Sequence, residues 1–228
     1  AAEWQRGSYF NSPINFHGDV GSSVMQRTMV FIDYQNFNIN LKKHYENSKN
    51  FNRIDYLRLG KAINEKIPIK SEVIKTYLFA YKPCDTLMTL NYYSNYYDWL
   101  TKLKVTPYLE IIEGRQEIRI PDKAVFNIND PSTYYTEEKE TDINLATHMV
   151  SKAFQNAFDV AILISGDTDY IKVIETLHSI GKVVVIAHFK HQNISRYNNL
   201  CDAHIVLYDD ILEKATIKNK NDSEIDSK

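Results

Sequence analysis

Compact apolar runs alternate with amphipathic stretches along most of this chain, and the two differ in period. "MVFI" at 29–32, "VIKTYLFA" at 73–80, "VTPYLEII" at 105–112, "VAILI" at 160–164, "VVVIA" at 183–187 and "HIVL" at 204–207 are rich in β-branched and aromatic residues and predict strands. Between them, apolar residues recur at helical spacing over 36–45, 56–66, 86–103, 143–158, 170–180 and 194–200, which predicts helices. Strand and helix alternating in this way give an α/β fold with a mainly parallel central sheet, its two faces covered by helices.

Three segments depart from that rhythm. Residues 1–27 are polar, mix Gly, Ser and Asn, and read as an N-terminal extension that is in part tag-like, so the domain is expected over 28–211. Residues 115–135 interrupt the alternation. There 116–120 and 124–128 each alternate around Pro121 and Asp122, which predicts a β-hairpin followed by a polar loop. With Arg115, Arg119, Lys123 and Lys139 in or beside it, this insertion reads either as a basic flap or as a solvated decoration. Residues 212–228 lose hydrophobicity and alternate charges, as a disordered tail does.

Composition narrows the function classes. With 27 basic and 29 acidic residues, the formal charge of −2 argues against coating nucleic acid by bulk positive charge, so a phosphate-bearing partner must meet a local patch. Two cysteines far apart, Cys84 and Cys201, fit a reducing cytoplasm, and no run approaches a membrane span. Tyrosine is abundant at 16 residues, and "LNYYSNYYDWL" concentrates it; Leu87, Leu90, Tyr93, Tyr97, Leu100 and Leu103 recur at helical spacing, so a packed helix face is preferred to a base-stacking platform.

The candidate chemistry lies just after the strands, where open parallel sheets bind ligands. Asp33 closes "MVFID", Asp167 and Asp169 follow "VAILISG", and Asp142 opens the helix that feeds that strand. Each has an ordinary explanation to weigh. Asp167 or Thr168 can cap the next helix, and Asp142 can be a favourable first-turn charge behind Thr141 as N-cap. Asp33 is read as having no helix immediately behind it, so a capping role does not explain it. Together, four carboxylates on one rim repel one another unless a divalent cation neutralises them, and an all-oxygen donor set favours Mg²⁺ or Mn²⁺ over zinc. Gly166 lets the backbone turn sharply between strand and acids.

"FIDYQNFN", "KETDINLATHMV", "ILISGDTDYIKVIETLHSIGKVVVIA" and "YNNLCDAHIVLYDDI", in this order over 29–210, resemble the NYN domains of the LabA-like group within the PIN-like nuclease superfamily. The resemblance implies a Rossmann-like α/β/α sandwich and a Mg²⁺- or Mn²⁺-dependent ribonuclease. It matches Asp33, Asp142, Asp167 and Asp169 to the acidic metal cluster, with Asn36 beside them as a polar partner. One departure is visible: the family's "KGVD" reads "KETD" here, with Lys139 kept and Glu140 in place of glycine. On this reading single-stranded RNA is the expected partner, with Lys139, Lys82 and Arg115 as contacts to flanking phosphates, Ser165 as a further substrate contact, and Tyr34 or Phe37 stacking on a base. A homodimer is compatible with it.

Competing readings remain open. The same fold and cluster could serve an RNA-binding or regulatory adaptor with little or no catalysis. A phosphatase of the haloacid dehalogenase type needs a second Asp where Gln35 stands, and neither GxGxxG nor GxxxxGK[ST] occurs. A zinc site could be assembled from His188, His191, Cys201 and His204, but no second Cys-x-x-Cys-like pair supports it.

Overall fold

The computed structural model describes residues 24–45, 53–122 and 124–217. Most of the expected N-terminal extension, Lys123, and the tail beyond Ile217 lie outside the described residues.

The apolar runs assemble into one sheet: β1 (Gln26–Asp33), β2 (Ser71–Pro83), β3 (Leu109–Arg119), β4 (Tyr135–Lys139), β5 (Val160–Ile164), β6 (Val183–His188) and β7 (Ala203–Val206). The order is β4-β3-β2-β1-β5-β6-β7. All neighbours are parallel except β3 and β4. The helices are α1 (Tyr34–His44), α2 (Tyr56–Asn64), α3 (Asp85–Met88), α4 (Asn91–Leu103), α5 (Thr141–Phe154), α6 (Ile171–Ser179) and α7 (Asp209–Ala215).

Successive side chains of a strand point to opposite faces, so the central strands feed two cores. Val30, Ile32, Ile162 and Ile164 pack with Phe37 and Leu41 of α1, Leu59 and Ile63 of α2, and Leu212 of α7. Met29, Phe31, Ala161 and Leu163 pack with Leu145 and Met149 of α5 and Ile174 and Leu177 of α6. The result is the expected α/β/α sandwich. From β1 the chain steps outward through β2 and β3, then returns to the other side of β1 for β5, β6 and β7. The strand order therefore reverses between β1 and β5, and their carboxyl ends, Asp33 and Ile164, frame the crevice such a reversal opens.

Several expected elements are corrected. The strand predicted at 105 begins only at Leu109, because Tyr108 after Pro107 takes a left-handed φ of 65°. The helix expected at 86–103 is two, α3 and α4, and that expected at 194–200 is a short 3-10 turn, Ser195–Tyr197. The tail expected from 212 is helical as far as Ala215, with Leu212 and Ala215 buried.

The hairpin is real, but its second strand is not 124–128. β3 pairs with Tyr135–Lys139, from Arg115 opposite Lys139 to Arg119 opposite Tyr135. Asn127, Asp130 and Thr133 turn the intervening chain on itself: Thr133 Oγ1 accepts from the Asn127 amide at 3.0 Å, and Asp130 Oδ1 from the Ser132 amide at 3.0 Å. Val125 is left 86% exposed. Side chains that bond their own backbone outcompete a weak alternation there.

Candidate active site

Asp33 is the centre from which the site is built. α1 starts at Tyr34, two residues earlier than its spacing suggests, so Asp33 does cap a helix: Oδ1 accepts from the Asn36 amide at 3.0 Å. The expectation that no helix stands behind it is corrected, yet the cap uses only one oxygen. Asp33 is 5% exposed. Its Oδ2 accepts from Ser165 Oγ at 3.0 Å and has the Tyr170 hydroxyl at 3.4 Å. That hydroxyl donates to Asp142 Oδ1 at 2.8 Å, so one phenol stands between two carboxylates from different elements.

Burial pushes the Asp33 pKa up to about 6; the charges of Asp142 and Asp167 push the same way, and hydrogen bonds from Asn36 and Ser165 oppose them. The Tyr170 phenol is driven well above its ordinary range, chiefly by burial and then by Asp33 and Asp142. Glu138 of β4, read from sequence as part of a polar loop, is pushed to about 7, first by burial and then by Asp33 and Asp142. Among the described residues, no Lys, Arg or His pairs with Asp33, Asp142, Asp167, Asp169 or Glu138.

The second acidic segment follows β5. Asp167 caps the 3-10 turn Thr168–Tyr170 by accepting from the Asp169 amide at 3.0 Å, as its sequence context suggests. Ser165 Oγ accepts from the Asp167 amide at 3.1 Å while donating to Asp33, which ties the ends of β1 and β5 together. Asn36 supplies a second tie. Its Oδ1 accepts from the Gly166 amide at 3.2 Å and from Gln192 Nε2 at 2.9 Å, and Gln192 Oε1 accepts from the Phe189 amide at 2.8 Å. A Cβ at Gly166 would sit 2.3 Å from Gln192 Nε2, so glycine is what lets this amide bridge close.

Asp142 lies in the first turn of α5, but the N-cap position is Glu140 rather than Thr141. Glu140 has φ 75° and ψ −19°, a left-handed conformation that costs a side-chain-bearing residue and suits glycine. This is the position where the resembling family carries glycine. Glu140→Gly is expected to raise stability by up to about 1 kcal/mol, the relieved strain being partly offset by unfolded-chain entropy. The shift in urea midpoint at unchanged m-value measures it.

Residues nominated as substrate contacts divide. Phe37 is 2% exposed, against Tyr56 and Phe189, and Tyr34 packs on Tyr96 and Trp99, so neither has a face for a base and both are corrected to core. Ser165 is 2% exposed and turned to Asp33, which makes it a structural tie rather than a surface contact. Lys139 pairs with Glu137. Arg115 is exposed and bonds Glu117 at 3.1 Å and Glu140 at 3.4 Å. Lys82 lies over the Tyr97 ring at 5.8 Å. Lys82 and Arg115 are paired across β2 and β3 and line a hollow of about 470 Å³ with Cys84, Asp85, Glu113 and Glu117. It opens on the same sheet rim as the acids, though its lining mixes both signs.

Sequence reasoning missed Tyr170, Gln192, Glu138 and Arg196. Tyr170 closes the quoted "GDTDY" motif. Arg196 donates to Thr168 Oγ1 at 3.2 Å from the loop after β6, a proximity with no sequence signal.

Among the described residues, no three His, Cys, Asp or Glu side chains are gathered closely enough to ligate one ion as they stand. In kind, the donors fit a hard divalent cation. They are all oxygen, they carry excess negative charge at a strand-order reversal, and both oxygens of Glu138 are buried without a hydrogen bond. The zinc alternative does not assemble: Cys201 Sγ contacts the Tyr197 carbonyl at 3.4 Å, His191 bonds Asn40, and His188 and His204 stack with centroids 5.8 Å apart. No helix among the described residues is long and apolar enough to cross a membrane.

Comparison with known proteins agrees with this architecture. A family model described as the NYN domain matches residues 27–210. No curated protein matches the chain significantly. Among solved structures, a protein of unknown function from Vibrio parahaemolyticus RIMD 2210633 is 15% identical, with 83% of this chain and 98% of that one covered, at a TM-score of 0.53. This likeness shows the fold alone. A Thermotoga maritima chain described as a possible 1-phosphofructokinase is 9% identical over 79% of this chain and 56% of that one; its TM-score of 0.30 carries no argument.

Proposed function

Because this chain belongs to the NYN domain family, a family of PIN-like nucleases, we propose that it is a divalent-metal-dependent ribonuclease that hydrolyses phosphodiester bonds in single-stranded RNA. The observation that carries the reading is Asp33: a buried carboxylate whose pKa is raised to about 6, facing Asp142 at the strand-order reversal with no basic partner among the described residues. A fold keeps so costly an arrangement where a cation is to be bound.

Asp33, Asp142, Asp167 and Asp169 would hold Mg²⁺ or Mn²⁺. When bound, such a cation would neutralise charge developing on the phosphate and lower the pKa of the attacking water. Ser165 and Tyr170 orient the Asp33 and Asp142 carboxylates. Asn36, its oxygen already engaged by Gly166 and Gln192, keeps its amide N–H donors for a phosphate oxygen. Lys82 and Arg115 lie along the rim where flanking phosphates would run.

The adaptor reading draws on a specific observation, that among the described residues no three acids stand close enough to hold an ion. One experiment separates the two. Purified protein is expected to cleave single-stranded RNA with added Mn²⁺ or Mg²⁺, to stop when the metal is chelated, and to spare a stable duplex. Asp167→Asn, which keeps a capping side chain and hence the turn, is expected to lower the rate by about tenfold or more. RNA binding without metal-dependent cleavage would favour the adaptor, and equal cleavage by both proteins would reject the site.

A further inference from the structure

In a strand, alternate side chains face opposite ways, and β4 sorts its acids accordingly. Glu137 faces one side and is satisfied by Arg119 at 2.7 Å and by Lys139. Glu138 faces the other. Both of its carboxylate oxygens are buried and neither makes a hydrogen bond of ordinary geometry. Among the described residues, the cations of the insertion are committed elsewhere: Arg115 to Glu117 and Glu140, Arg119 to Glu117 and Glu137, Lys139 to Glu137. Thr141, 4% exposed and next to Asp142, brings its hydroxyl beside Glu138, where it counters the effect of burial, but this hydroxyl too lacks a bond of ordinary geometry. Buried polar groups in folded proteins are paired in the great majority, and a buried carboxylate without a partner is among the most costly exceptions. Glu138 is also within electrostatic reach of Asp33 and Asp142.

We infer that Glu138 is a further carboxylate of the cation site, facing Asp33 and Asp142 from edge strand β4 and binding the divalent ion directly or through water. The inference rests on the reading of that site as a metal site. It also gives the insertion a role: the antiparallel strand appended to β3 delivers an oxygen ligand that the β1 and β5 turns do not supply.

The test is Mn²⁺ binding to the full chain, measured by titration calorimetry and by the Mn²⁺-induced shift of the thermal midpoint, with no RNA present. Glu138→Gln, nearly the same shape, is expected to weaken Mn²⁺ by about ten- to hundredfold and to lose most of the midpoint shift. Glu137→Gln, one residue away on the ion-paired face, is expected to stay within about twofold of wild type. Binding by wild type with equal affinity in Glu138→Gln overturns the inference and leaves the metal site standing, as does an equal loss in both variants. Absence of Mn²⁺ binding by wild type overturns the metal site and the inference together. If Glu138→Gln loses the wild-type circular dichroism spectrum, Glu138→Asp takes its place; weaker binding supports the inference and unchanged binding overturns it.

Discussion

Asp33→Asn is expected to lose metal-dependent cleavage by about a thousandfold while the protein becomes more stable at neutral pH. The loss follows from removing the innermost carboxylate of the rim. The gain follows from linkage. The folded-state pKa of Asp33 is raised from 3.8 to about 6, so the folded protein holds this proton more tightly than the unfolded chain does. Its charge therefore costs nothing below pH 3.8, begins to cost stability as pH rises above that, and costs its full amount above about 6. Two units correspond to at most about 3 kcal/mol, of which Asn should recover roughly 1–2, because Asn keeps the α1 cap but alters the bonds to Ser165 and Tyr170. Chemical denaturation at pH 4.5 and pH 7.5 should show the two proteins closer at the acid end and the variant ahead at the neutral end. A variant no more stable at pH 7.5 would mean that Asp33 is not the strained group described.

Gly114→Ala is expected to be the most damaging single methyl group in β3. A Cβ on Gly114 would lie 2.5 Å from the Lys139 carbonyl oxygen, 2.9 Å from the Thr141 amide nitrogen and 2.3 Å from Thr141 Oγ1. Two of these neighbours are backbone, so no rotamer change relieves the contact. Either β4 separates from β3 or the start of α5 moves, at a cost of about 3 kcal/mol. Because the displaced turn carries Thr141 and Asp142, cleavage should fall along with the urea midpoint. A midpoint within about 0.5 kcal/mol of wild type would show that the turn yields freely.

The two variants mark what could and could not be read locally. The acids after β1 and β5 were legible because strand ends in a parallel sheet are where ligands bind, and "FID" and "ISGDTD" place them there without any contact being known. Phe37 and Tyr34 are expected on a base only through the RNA-binding reading, and packing against Tyr56, Phe189, Tyr96 and Trp99 takes both into the core instead. With α1 beginning at Tyr34, capped by Asp33, residues 34, 37 and 41 form one helical stripe and all three are buried.

Glu138 was not legible in this way. "YTEEK" has the charged composition that edge strands use against aggregation, and that composition resembles a solvated loop. Only its antiparallel register with β3 turns Glu138 inward and Glu137 outward.

By itself, then, the sequence determined the alternation of strand and helix, the two buried faces and the rim on which the acids lie, because hydrophobic period and the handedness of parallel crossovers are properties of short segments and their order. The tertiary structure alone decided which polar groups meet: Tyr170 between Asp33 and Asp142, and Gln192 on Asn36. Those meetings join residues far apart in the chain, and they depend on strand register and helix starts, where a shift of one residue sends a side chain to the opposite face.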